Sequence, residues 1–394
     1  MKRIYSIDFC RGLVMIIMAL DHTRDFLHVS SLTQRPTDLA TTTPVLFFTR
    51  WITHLCAPTF VLLSGVSAWL SSKSRPNARE NRLFLLKRGI WLIILEFTVV
   101  NFGLWMDIHF RSLILEVIAA IGFGFIILSL LHKVPPRILG VVGLIIIFGH
   151  EFLSSFILPA GSAMPPNHSV SQTIEIFLLD FGIFQFSPHL LFLVGYPLLP
   201  WLGIMLIGFA CGRLFEDPVE VRKKKFLRIG IAALVLFVLL RWINVYGDPA
   251  RWSVQKNAVF TFLSFINVSK YPPSLLFTLV TLGISFLVLS FSEGKNNKFI
   301  EVVSVYGKTP LFYFLIHLYV IHFIMFIMVF LQSFRPQDLD FGPLKNGRPA
   351  QGSGIGLPYV YLVWLFVVML MYPLCLKYGR YKATHRNNKW LRYM

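Results

Sequence analysis

Ten long apolar runs punctuate this chain, at about 8–30, 46–72, 89–107, 112–131, 137–158, 190–214, 228–246, 272–292, 307–332 and 359–377. Several reach about 18 to 25 residues, the length that a helix rising ~1.5 Å per residue needs to cross a ~30 Å hydrocarbon core. Backbone polar groups in lipid find no water, so runs of this length fold as helices. The expected architecture is all-α: a polytopic membrane helical bundle of about ten transmembrane helices, forming a single domain over 1–394. Only 14% of the 394 residues are charged and 55% are hydrophobic. A soluble domain carries roughly a quarter charged residues, and that class is excluded.

The charge balance, 37 Lys and Arg against 19 Asp and Glu, would suggest nucleic acid in a soluble protein. Here the cations gather in short loops between apolar runs, where they orient the chain in the bilayer. With the N-terminus inside, the inside segments hold Lys2 and Arg3, the loop 73–88, the turn 132–137, the stretch 221–228, the loop near 293–308 and the basic tail after 377. An even number of spans then leaves both termini cytoplasmic. No arginine-rich arm, zinc spacing or stacking motif of a nucleic-acid binder accompanies the charge, so no nucleic-acid partner is expected. Cys10, Cys56, Cys211 and Cys375 form no CxxC pair, so neither a disulfide framework nor a cysteine metal site is indicated. The start MKRIYSIDFCRGL runs on without a small-residue cleavage site and reads as a retained first helix.

The longer outside segments, near 159–189, 247–271 and 333–358, are rich in Pro, Gly, Ser and aromatics and predict short interfacial helices or a lid. Pro310 fits the first turn of the ninth span, and Pro272 with Pro273 the entry to the eighth. No internal repeat of the kind that builds inverted-repeat transporters is visible.

Ionisable residues inside the spans are the informative ones, because each costs a few kcal/mol at a helix centre unless paired or facing water. The first span carries Asp8, Arg11, Asp21, His22, Arg24, Asp25 and His28. Arg11 and His22 are eleven residues apart, which at ~100° per residue puts both on one face, roughly 16 Å from each other. That face offers a guanidinium, suited to phosphate, toward the inside and an imidazole, suited to proton transfer, toward the outside. His54 in the second span lies at a depth matching His22, and Arg50, four residues before it, shares its face. Glu96 and Asn101 come from the third span, Glu116 from the fourth, Arg241 and Asn244 from the seventh, and His317 and His322 from the ninth. Five residues apart, the last two diverge by about 140° and cannot clamp one metal ion. Only one of them is expected to face a central pocket, and the spacing does not choose.

Ser6 to Phe26, SIDFCRGLVMIIMALDHTRDF, resembles the first helix of a superfamily of transmembrane acyltransferases. Arg11 and His22 match the R-x10-H pattern of acyltransferase family 3. Asp8 in SIDxxRG, with THLCAPTFVLLSGVSAWL, YPLLPWLGIMLIGFACG, SKYPPSLLFTLVTLG and LFYFLIHLYVIH, is more similar to bacterial relatives of the heparan-alpha-glucosaminide N-acetyltransferase catalytic domain. The resemblance runs from about 3 to 380.

It implies a bundle in a bacterial inner membrane that moves an acetyl or acyl group from cytoplasmic acyl-CoA, a co-substrate, to a sugar or glycan acceptor on the far side, with no metal. On that reading His22 is the catalytic base or acyl carrier and Arg11 holds the donor. In a direct transfer, Asp21 or Asp25 orients the His22 ring, and His54, Asn101 and Arg50 are the donors available for the carbonyl oxygen. Arg11, Arg50, Glu96 and His317 are the expected acyl-CoA contacts, with Lys87 and Arg88 adding attraction for its phosphates. A proton-coupled transporter, with His22, Asp21, His54, Glu96 and His317 as a relay, is the alternative. Acceptor identity, acyl length and oligomeric state stay open.

Overall fold

A computed structural model describes residues 4–75, 77–154, 169–187 and 189–385, with 387, 388, 391 and 393. Lys2 and Arg3, the end of the fifth expected span at 155–158 and the outer stretch 159–168 lie outside the described residues.

The first expected span is α1 (Tyr5–Leu27). The second is α2 (Pro44–Trp51), a 3-10 turn at Ile52–Leu55 and α3 (Cys56–Ser74), continuous over 31 residues. Thr43 starts it by accepting from the Leu46 amide at 3.3 Å, with Pro44 in the first turn. The third is α4 (Ala78–Leu95), a π-helical turn at Glu96–Val100 and α5 (Asn101–Trp105). It begins eleven residues earlier than its apolar stretch, because Asn77 caps the charged turn around Arg79 and Glu80.

The fourth expected span is corrected at its start. Residues Ser112–Leu115 are a strand, β1, and only Val117–Leu130 is helix, α6. α7 (Pro136–Ser154) and the short α8 (Val170–Leu178) follow, then β2 (Gly182–Ser187) and β3 (Leu190–Val194). The sixth span is corrected in the same way, its helix α9 starting at Leu198 and ending at Cys211. The strands form one sheet in the order β1-β3-β2, with β1 and β3 parallel and β2 antiparallel to β3. SLIL and LLFLV are apolar enough for either state. The pairing partner, some eighty residues away, decides for the strand.

The rest is α10 (Val219–Ile243), α11 (Ala258–Ile266), α12 (Leu275–Ser292), α13 (Lys298–Gly307), α14 (Pro310–Leu331) and α15 (Leu357–Thr384). Pro310 opens α14 as expected, whereas α12 starts on Ser274, which accepts from the Phe277 amide at 2.9 Å just after the two prolines.

The protein is a polytopic, all-α membrane bundle carrying this small sheet. Among the described residues seven helical runs are long and apolar enough to cross a membrane. α1 and α4 occupy the other expected places with more charge, and α6 with only 14 residues. α1 is the central helix, packed on α3, α12, α13, α14 and α15. α7, α10 and α15 bury only about a fifth of their apolar windows, against 72% for α12, so they form the lipid-facing wall. Glycines permit the closest crossings: a Cβ on Gly12 of α1 would collide with the Val303 carbonyl of α13, and one on Gly307 with the Asp8 carbonyl. Small residues at such crossings let helices approach without help from a hydrophobic driving force.

Candidate active site

One stripe of α1 lines two cavities. Ile4, Ile7, Asp8, Arg11 and Met15 face a cavity of about 610 Å³ at the end where α1 and α14 begin. Met18, Asp21, His22, Asp25 and Phe26 face a second, of about 220 Å³, toward the opposite end. The steps of three and four residues keep every one of these on a single helix face. The cavities share Phe60 of α3, Val117 of α6 and Phe314 of α14, so the two volumes meet at those three side chains.

The larger cavity receives three guanidinium groups, from Arg11, Arg75 and Arg88, against one carboxylate, Asp8. Arg11 Nη2 donates to the Leu63 carbonyl at 3.0 Å and to Ser67 Oγ, which fixes it against α3. Arg75 lies over the Phe84 ring at 3.8 Å, and Arg88 over Phe125 at 5.6 Å. Such stacking leaves planar donors for an anion. Arg75 had no signal in the sequence beyond its loop of cations, and Lys87 is absent from this lining.

In the smaller cavity, His22 Nδ1 lies 2.8 Å from His317 Nε2, and His317 Nδ1 lies 2.8 Å from the Tyr313 carbonyl oxygen. A carbonyl only accepts, which assigns the protons of two neutral rings. His317 donates from Nδ1 and accepts at Nε2, so His22 donates from Nδ1 and keeps the lone pair on Nε2. The expectation that Asp21 or Asp25 orients this ring is therefore corrected. Asp21 is taken by Arg50 and by Arg24 Nη2 at 2.8 Å, and Asp25 by the same Arg24 atom at 2.5 Å. The buried Arg24 and the partly buried Arg50 compete for these carboxylates and win on charge. Of its pair, His317 is the ring that meets His22, although neither His317 nor His322 lines either cavity. His322 turns away, between the carbonyls of Gly103 at 3.0 Å and Asn346 at 2.9 Å.

Four expected site residues, His317, Asn101, Glu96 and His54, line neither cavity. Asn101 accepts from the Ile114 amide at 2.6 Å and donates to the carbonyls of Glu96 and Ile114, pinning β1 to the helix before it. Glu96, fully buried, accepts from the Ala119 amide at 2.9 Å in the first turn of α6. His54 packs its ring edge-to-face on Phe277 at 5.4 Å, while its neighbours Arg50 and Thr53 line the cavity. His317 is likewise not an acyl-CoA contact in the larger cavity; it touches His22.

The sheet and the connecting loops place Glu116 in the smaller cavity and add Tyr196, Lys270, Tyr271 and Asn346, which the sequence did not single out. The amides of Gly195 and Tyr196 both bond the Leu115 carbonyl at 3.1 Å, so Glu116 and Tyr196 leave the ladder together and enter the smaller cavity. Lys270 and Tyr271 arrive on a loop pinned by Ser269, whose amide and hydroxyl bond Asp248 at 2.8 and 2.9 Å. Asn346 comes from the segment that Arg348 ties to α1 through the carbonyls of Phe26 at 2.8 Å and His28 at 3.0 Å. Lys270 and Tyr271 fall in or beside one of the segments that carried the family resemblance, the available signal for them.

Residues 3–245, more than half of the chain, match the family described as heparan-alpha-glucosaminide N-acetyltransferase, catalytic. The chain belongs to that family. No curated protein matches it. Within this N-acetyltransferase family member, the match covers Arg11, His22, Arg50, Glu116 and Tyr196, while His317 comes from beyond it. Among the described residues no cluster of three or more His, Cys, Asp or Glu side chains is arranged to hold a metal ion.

Proposed function

We propose that this protein transfers an acetyl or acyl group from cytoplasmic acyl-CoA to a sugar or glycan acceptor on the outer face of a bacterial inner membrane. The observation that carries the proposal is the single α1 face that presents Arg11 to one cavity, beside Arg75 and Arg88 from neighbouring elements, and His22 to another, with the two meeting at Phe60, Val117 and Phe314. The CoA phosphates sit with Arg11, Arg75 and Arg88 on the cytoplasmic side. The pantetheine arm runs along α1 over the roughly 16 Å that separates Arg11 from His22. It brings the thioester to the junction from one side, and the acceptor reaches it from the other.

In the direct step, His22 Nε2 takes the proton from the acceptor amine or hydroxyl as its nitrogen or oxygen attacks the thioester carbonyl carbon. The tetrahedral intermediate collapses with cleavage of the C–S bond, and the departing CoA sulfur takes the proton from His22. His317 accepts from His22 Nδ1 throughout and keeps Nε2 aimed at the acceptor. Of the donors expected for the oxyanion, Arg50 is the one whose side chain lines this cavity.

The test is acetyl-CoA binding and acyl turnover by detergent-purified parent, Arg11→Ala and His22→Ala proteins. The expected result is saturable binding weakened by Arg11→Ala, with turnover lost but binding retained in His22→Ala. Absence of acetyl-CoA binding to the parent would overturn the enzyme reading. His22→Ala turning over at the parent rate would remove His22 as the base.

A further inference from the structure

A third cavity lies apart from both halves of the proposed active site. It has a volume of about 530 Å³ and sits between the junction of α13 with α14 and the C-terminal part of α15. Its wall is apolar along Val305, Cys375 and Leu376, and three cations line it: Lys308, Arg380 and Lys382. Among the described residues no carboxylate lines it, and neither Lys308 nor Arg380 forms an ion pair. Thr309, which begins α14, is also in the lining, so the positive end of a 22-residue helix opens at the same place.

Depth in the membrane fixes what such a groove can hold. α15 has 28 residues, about 42 Å of helix against a ~30 Å hydrocarbon core, and its first cation is Lys377. Leu376 and Cys375 therefore lie at the edge of the hydrocarbon, and Arg380 and Lys382, four and six residues past Leu376 or about 6 and 9 Å along the helix, at the level of the headgroups. Phe312 stacks on Tyr378 at 4.3 Å and fastens the start of α14 to this part of α15. Apolar wall below and cations above match one kind of molecule, an amphiphile with an anionic head. Basic pockets between helices near the cytoplasmic surface suit such heads.

We propose that this groove binds an anionic phospholipid, with its phosphate between Lys308, Arg380 and the first turn of α14, and an acyl chain along Val305, Cys375 and Leu376. The site is separate from acyl transfer and does not depend on that reading. A free phosphate shares the headgroup chemistry but has no use for the apolar wall.

Native mass spectrometry of the full-length protein, delipidated in detergent, is the test. The probes are dioleoylphosphatidylglycerol, dioleoylphosphatidylcholine and inorganic phosphate. The parent is expected to retain the phosphatidylglycerol and not the phosphatidylcholine, with phosphate failing to displace the lipid at equal concentration. Lys308→Gln with Arg380→Gln should weaken retention roughly tenfold or more. Lys224→Gln with Lys298→Gln, outside the groove, should leave it unchanged. Gly379→Leu fills the groove without altering charge and replaces a helical glycine by a better helix former. It should abolish retention while leaving the melting temperature intact. Equal weakening by the two charge pairs, retention in Gly379→Leu, or displacement by phosphate would each overturn the proposal.

Discussion

His22 Nδ1 and His317 Nε2 lie 2.8 Å apart, joining the first long helix to one that starts nearly three hundred residues later. The direction of that hydrogen bond is set by a third group, the Tyr313 carbonyl, which can only accept. A backbone oxygen one turn back in α14 thus decides which nitrogen of His22 carries a lone pair.

If His317 positions His22, removing it harms turnover rather than donor binding. His317→Ala is expected to lower kcat at least about tenfold, short of the roughly 10²- to 10⁴-fold expected for His22→Ala, with KM for acetyl-CoA little changed. His317→Gln retains an acceptor oxygen for His22 Nδ1–H and should recover part of the loss. A glutamine variant no better than the alanine variant would count against this positioning role.

Protonation of His22 removes the lone pair on Nε2, so under the proposed mechanism the active form is the neutral ring. Activity is present where His22 is neutral and is lost as the pH falls through its titration. The kcat profile of the parent should have a falling acidic limb, and Arg11→Ala should keep it. Residual turnover in His22→Ala should be flat over the same range; persistence of the limb there would assign it to another group.

Arg11 lines the larger cavity, proposed to hold the donor, where a charge-assisted hydrogen bond would contribute roughly 1.5–3 kcal/mol, equivalent to about 10- to 100-fold. Arg11→Ala should raise KM for acetyl-CoA by about that factor while leaving kcat near the parent value. Arg88→Ala should do the same more weakly, since its guanidinium also rests on Phe125. A fall in kcat with unchanged KM would place Arg11 outside donor binding.

Val117 sits where the cavities meet, beside Phe60 and Phe314. Val117→Trp should block passage of the thioester and cut turnover at least about tenfold, with acetyl-CoA still binding at the arginines. Unimpaired turnover with a tryptophan there would mean that the acyl group does not pass through this junction.

The Gly12 and Gly307 contacts hold α1 against α13 just beside Arg11. Gly12→Val forces a side chain into the Val303 carbonyl and should destabilise the protein by about 1–3 kcal/mol, the usual cost of overpacking. The melting temperature in detergent is the readout. A melting temperature equal to the parent's would show that the crossing tolerates separation.

Much of this architecture is legible in the residues taken in order. Every expected span finds a helix at its place, because lipid-crossing length and hydrophobicity are properties of a contiguous stretch. The shared face of Arg11 and His22 is equally local, since helical periodicity alone puts them on one side. Ser112–Leu115 and Leu190–Val194 are apolar stretches that form strands and not helix, because their pairing partner lies far along the chain. Glu96, Asn101 and His54 line neither cavity. Each is polar and buried, as a site residue would be, yet Asn101 and Glu96 bond the backbone of β1 and α6 and His54 packs on Phe277.

Sequence by itself determined that the chain is a helical membrane bundle and that one face of its first helix carries a guanidinium and an imidazole three turns apart. The tertiary structure decided what those groups meet. Asp21 stands next to His22 in the chain, but Arg24 and Arg50 occupy it, and the ring is oriented instead by His317. The physical reason is that a hydrogen bond depends on distance and direction in space. A neighbour in sequence on a helix points about 100° away, whereas a residue on another helix can be packed directly opposite.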